Sequence, residues 1–191
     1  MKKLLALSIG VATFCPTLAL ADAQELIAAI NSGKATVDVR LRSERVSDND
    51  PAIKNDAHAE TIRTVLSYKT ADYQGFTGFL QFEDVTNFGE ERYDNKTGTG
   101  KKTYAAIADP ALTQVNQAFI EAYGVKVGRQ KIVYDNARFV GDVGWRQNDQ
   151  TFDAVSYTNK VLVPSTTLSV AYLNKINNIA GKILPVSAPL V

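Results

Sequence analysis

The chain has 191 residues, 45% of them hydrophobic, with a formal net charge of +1, one histidine and one cysteine. This balance excludes the strongly basic profile of a nucleic-acid binder, and a single cysteine excludes an internal disulfide framework. The length suits one domain.

The first residues read MKKLLALSIGVATFCPTLALADAQ. Lys2 and Lys3 precede an apolar run that ends in small residues, the pattern of a bacterial secretory signal peptide over residues 1–21, with cleavage as late as residue 23. Pro16 interrupts a run that falls short of the ~20 apolar residues needed to span a bilayer. Cys15 lies inside this leader, and Phe14 stands where a lipoprotein would need a small residue. Loss of Lys2 and Lys3 moves the formal charge from +1 to −1. The exported chain is then expected to be cysteine-free, with a short N-terminal segment over 22–34 and a β domain over 35–191.

In chain order, the helical period of QELIAAINSG gives way to a period of two. ATVDVRLRSERV alternates Val37, Val39 and Leu41 with Asp38, Arg40, Arg42 and Glu44, as a strand with two unlike faces does. ETIRTVLSYKT sets Ile62, Leu66 and Tyr68 against Arg63, Ser67 and Lys69. GFTGFLQFEDV sets Phe76, Leu80 and Phe82 against Thr77, Gln81 and Glu83. VNQAFIEAYG, VKVGRQKIV, TFDAVSYTN and TTLSVAYLN continue the pattern, which makes seven candidate strands. Pro and most of the Gly and Asn fall between them.

Long and short connections alternate. SDNDPAIKNDAHA is long, ADYQ short, TNFGEERYDNKTGTGKKTYAAIADPALTQ long, the Gly124 corner almost nothing, and YDNARFVGDVGWRQNDQ long again. Outer-membrane barrels show this rhythm, with short periplasmic turns and longer outer loops. The expected fold is therefore all-β, an antiparallel up-and-down transmembrane β-barrel whose polar face, carrying Arg40, Arg42 and Arg63, lines a lumen. Phe, Tyr and Leu near strand ends suit an interfacial girdle. The alternative is a soluble exported β-sandwich or lipocalin-like module that binds an acidic ligand, because alternation alone suits both.

Catalytic signatures are scarce. His58 has no second histidine or cysteine for a zinc site and reads as a solvated residue of the first long loop. TGTGKKT lacks the glycine spacing of a phosphate loop, and SDNDPAIKND lacks the glycine and glutamate of a calcium loop, which leaves turn formation by Asp, Asn and Pro. The stretch VGRQKIVYDNARFVGDVGWRQNDQTFDA is too aromatic for a linker and too irregular for one strand. It is expected to fold over itself or into a cavity. Its Arg129, Arg138 and Arg146 either present forks to an acidic ligand or are consumed by Asp135, Asp142 and Asp149.

The G-R-Q, D-N-x-R-F and G-W-R-Q pieces of that stretch, in order, resemble the alginate-export family of bacterial outer-membrane barrels, as do VRLRSERVSDN and TIRTVLSYKT. The resemblance runs from about residue 35 to about residue 173. It implies a porin-like channel, and its namesake member exports a polyanionic polysaccharide through an arginine-rich lumen. By resemblance Arg129, Asp135, Asn136, Arg138, Trp145, Arg146 and Gln147 fall on the family's shared segment, none of them catalytic. With Arg40, Arg42 and Arg63 they form the expected pore-lining or solute-binding set, a charged constriction of the usual kind. Family members are longer, the chain ends NNIAGKILPVSAPLV without a terminal aromatic, and seven strands fall short of the roughly 8 of the smallest closed barrel. An incomplete, N-terminal half barrel is expected.

The expected protein is thus a non-enzymatic outer-membrane channel for passive diffusion or export of hydrophilic solutes, an acidic saccharide among them. It uses no cofactor and no metal, and it does not bind nucleic acid. Its partners are outer-membrane lipid, the solute, the barrel-assembly machinery and periplasmic chaperones.

Overall fold

The computed structural model describes residues 20–97, 100–161 and 165–186. The expected leader lies almost wholly outside the described residues, as do parts of TGTGKKT and of the segment after TFDAVSYTN. A helix, α1 (Leu20–Asn31), precedes eight strands: β1 (Lys34–Val46), β2 (Ala57–Lys69), β3 (Phe76–Asn87), β4 (Leu112–Ala122), β5 (Val125–Gln130), β6 (Thr151–Asn159), β7 (Leu168–Asn177) and β8 (Ile183–Pro185). They form one antiparallel sheet in sequential order, β1 to β8. Among the described residues β1 pairs only with β2 and β8 only with β7, so the sheet is up-and-down and not closed.

The seven expected strands are present, and the eighth is a three-residue strand ending in Pro185, too short to show a period. β5 stops at Gln130, before Lys131, Ile132 and Val133, because the chain leaves the sheet there to fold over it. His58 is not in a loop. It is the second residue of β2, paired with Arg45 of β1, because β2 begins three residues before its apolar alternation becomes visible.

The short connections follow from local geometry. Between β4 and β5 only Tyr123 and Gly124 remain, with φ of 50° and 83°, the double positive φ that a two-residue type I′ hairpin requires. Between β2 and β3, Gln74 and Gly75 have φ of 53° and 86°. Tyr123 rests over Gly75, where a Cβ would meet its ring at 2.7 Å, and its hydroxyl donates to the Gln74 carbonyl. In the β1–β2 loop, Asp48 and Asp50 each accept from the backbone N–H two residues on, the turn-forming use expected for these side chains. Helix α1 caps the short-turn end, where the Ala29 carbonyl accepts from the Ala71 N–H.

The sheet is inside out relative to a soluble domain. On β1 the apolar positions Val37, Val39 and Leu41 are exposed, Leu41 at 69%, and the band continues through Leu66, Phe82, Ile120, Val127, Val155 and Tyr172. The opposite face is polar and covered, with Arg63 at 9%, Glu83 at 1% and Asn116 at 0% exposure. No second sheet lies over the apolar face among the described residues. The cover on the polar face comes from two long loops, residues 88–111 between β3 and β4 and residues 131–150 between β5 and β6. Each brings a small apolar cluster with it: Tyr93, Ala105 and Ile107 pack on Ala57 and Ala59, and Ile132 packs on Phe152 and Ala154.

Candidate functional site

The site is the polar face where the β5–β6 loop crosses β1, β2 and β3. Alternation aims Arg40 and Arg42 from β1, Arg63 from β2 and Glu83 from β3 at the same side. Register sets Arg40 opposite Arg63, a repulsive pair unless anions or carbonyls intervene. The loops supply both.

Arg63 lies at the centre of a four-charge cluster that is buried except for the partly exposed Lys131. Its Nε and Nη2 donate to Glu83 Oε2 at 2.9 and 2.6 Å, and Nη2 also bonds Asp149 Oδ2. Lys131 Nζ reaches the same Asp149 oxygen at 2.5 Å. Two cations thus meet two carboxylates. Asn116 donates to Glu83 and Asp149 at 3.2 and 3.0 Å, and Gln114 donates to Glu83 at 3.1 Å. Isolated charges buried this deeply would cost several kcal/mol each, so pairing and hydrogen bonding are what make the cluster tolerable.

Asn116 reaches this cluster through a β-bulge. The β3–β4 register shifts between Gln81 and Phe82, which face Gln117 and Val115, so Asn116 is the extra residue and turns inward. Neither Asn116 nor Lys131 was expected from the sequence. The signal for Asn116 is present nonetheless, since the apolar positions of β4 change parity between Val115 and Ala118.

The second cluster staples the loop to β1. Arg40 donates to Gln147 Oε1 at 2.7 Å and to the carbonyls of Arg146 and Gly144. Arg42 bonds the Trp145 carbonyl and pairs with Glu44 at 2.6 Å. Arg146 pairs with Glu44 at 3.3 Å, and both Arg42 and Arg146 lie 3.7 Å from Asp109 Oδ2. Gln147 donates from its side chain to Thr61 Oγ1 at 2.7 Å and from its backbone to Asp109 Oδ1 at 2.8 Å. Asp109, also not expected, links the two loops. Tyr93 is fully buried beneath it, its hydroxyl placed between Asn87 Oδ1 and the Asp109 carbonyl. Burial pushes the Tyr93 phenol up to about 12.

The structure therefore brings Arg40, Arg42, Arg63, Trp145, Arg146 and Gln147 together. Arg129 is elsewhere: it shares the outer face with Val125 and Val127 and pairs with Asp153 at 2.8 Å. Asp135, Asn136 and Arg138 occupy the outer turn of the loop, where Arg138 N–H donates to Asn136 Oδ1 and the guanidinium lies 5.5 Å from the Phe139 ring. The acids that consume the arginines are mostly not those of the loop itself. Arg146 uses Glu44 and Asp109, Arg129 uses Asp153, and Asp142 faces Lys131 at 3.6 Å.

Several cations have no carboxylate partner among the described residues. Arg138 is one. Two others, Lys34 and Lys69, stand directly opposite each other on the inward face near the short-turn end, beside a cleft of about 350 Å³ that Thr36, Ser67 and Thr70 also line.

No curated protein matches the chain, and no solved structure matches it. The family description "Alginate export" matches residues 34–165, a span from the first residue of β1 through the β5–β6 loop and β6. An outer-membrane barrel turns its apolar face to lipid and its polar face to a lumen, which accounts for the inverted sheet. The chain belongs to the alginate export family of outer-membrane, porin-like transport proteins.

Proposed function

We propose that the protein forms a passive channel for hydrophilic, acidic solutes, with the 131–150 loop as its constriction. In this reading the clustered arginines are scaffold. Arg40, Arg42, Arg63 and Arg146 spend their donors on Glu44, Glu83, Asp109, Asp149 and loop carbonyls, and so hold the loop at a fixed depth over the sheet. The anion preference comes instead from the cations with no such partner.

The observation that carries the proposal is the placement of Lys34, Lys69 and Arg138, which have no carboxylate partner among the described residues. Lys34 and Lys69 are like charges directly opposed, an arrangement that costs stability unless an anion sits between them. An acidic solute entering from the short-turn end meets them first, before the constriction.

Reversal potentials in planar bilayers under a potassium chloride gradient test this. The protein is expected to be anion-selective. Arg138→Glu and Lys34→Glu should each move the reversal potential toward cation selectivity, and selectivity unchanged in both would overturn the proposal.

A further inference from the structure

On the outer face, above the apolar band, the strands carry a second charged feature. Arg45 of β1 pairs by register with His58 of β2, and His58 bridges to Arg92 at the start of the β3–β4 loop. Adjacent positions in such a row are about 5 Å apart at Cβ. The row borders a cleft of about 580 Å³ that Lys54, Asp56 and Tyr104 also line. Arg92 is matched by Glu90 at 2.6 Å, and His58 lies 3.5 Å from Glu60. Arg45 and Lys54 have no carboxylate partner among the described residues.

Arg45 shares its face with Leu41, Val39 and Val37. The eight steps from Val37 to Arg45 cover about 26 Å at ~3.3 Å per residue, nearly the ~30 Å of a hydrocarbon core. The cleft lies on the long-loop side, the outer rim of a barrel of this kind. A site with free cations at the rim and an exposed apolar strip beneath is complementary to one class of ligand, an amphiphile with a strongly anionic head.

We infer that this cleft binds the phosphorylated headgroup of an outer-leaflet lipid, whose acyl chains lie along Leu41, Val39 and Val37. Arg45 presents a guanidinium fork suited to two phosphate oxygens, Lys54 adds a mobile ammonium, and the Tyr104 ring lines the cleft at interfacial depth. A free phosphate ion would use the cations and leave the strip unused. This goes beyond the channel reading and holds whether or not the lumen selects anions.

The test is retention of diphosphorylated lipid A by the full chain in detergent micelles, read by native mass spectrometry. Wild-type protein should retain it at least tenfold better than lipid A stripped of its phosphates. The pair Arg45→Ala with Lys54→Ala should lose that preference, while Arg45→Lys with Lys54→Arg should keep most of it, and millimolar inorganic phosphate should not displace the lipid. Equal retention of both lipids by the wild type, or undiminished retention by the alanine pair, would overturn the site. Displacement by inorganic phosphate alone would overturn the lipid assignment. Should the alanine pair fail to fold, the two wild-type lipids and the charge-conserving pair still decide.

Discussion

Arg63 on β2 and Asp149 in the β5–β6 loop are joined by a direct guanidinium–carboxylate contact across 86 residues of sequence. The contact ties the loop to the middle of the sheet. Glu83, wholly buried beside it, leaves Arg63 no freedom to turn toward solvent or solute. Removal of the guanidinium strands two carboxylates, and Lys131 can answer only one of them.

Arg63→Ala is therefore expected to cost about 3–5 kcal/mol, the usual result of breaking a buried pair from one side. Urea unfolding in micelles measures it. Adding Glu83→Gln to Arg63→Met should recover most of the loss, since Lys131 and Asp149 then remain as a matched pair. A loss below about 1 kcal/mol for the alanine variant would show that the cluster does not anchor the loop.

Arg40 holds the loop tip through three contacts: the Gln147 side chain and the carbonyls of Arg146 and Gly144. Arg40→Ala should loosen the tip and raise single-channel conductance. Trp145 is the only tryptophan, so its fluorescence reports on this segment alone, and its anisotropy should fall in the variant. An unchanged anisotropy would mean that Arg42, through the Trp145 carbonyl and Glu44, suffices by itself.

Tyr93 gives the fold an alkaline limit. Burial raises its phenol to about 12 in the folded chain, against about 10 when unfolded. The folded state thus holds the proton more tightly. The corresponding stabilisation, about 2–3 kcal/mol, is complete below pH 10 and is lost as pH rises from 10 through 12. Tyr93→Phe should be less stable near neutrality, by about 1 kcal/mol for the lost hydrogen bonds, yet should show a shallower decline between pH 10 and 12. Parallel declines would contradict a buried neutral phenol.

The strands were legible because lipid on one side and polar side chains on the other impose a strict period of two. Val37, Val39 and Leu41 could be assigned to one face without any knowledge of what covers it. The pairing of the arginines was not legible. Arg40 meets Gln147 across 107 residues and Arg146 meets Glu44 across 102, and no local pattern encodes which acid a folded-back loop will find. Arg129 shows the opposite error. Its neighbours in sequence suggested the constriction, although the parity of Val125 and Val127 already placed it outside. The bulge at Asn116 was likewise written in a change of parity, whereas the Pro-terminated β8 offered too few residues to read.

Which face of the sheet meets lipid decides how the protein sits in the membrane, and nitroxide scanning measures that directly. Single cysteines at positions 36 to 41, in protein lacking Cys15 and reconstituted in bilayers, would carry the label. Labels at Val37, Val39 and Leu41 should be relaxed by oxygen, which concentrates in lipid, and labels at Thr36, Asp38 and Arg40 by a water-soluble nickel complex, in strict alternation. Nickel accessibility at Val37, Val39 and Leu41, with the even positions shielded from both reagents, would contradict a membrane-embedded sheet with an aqueous inner face.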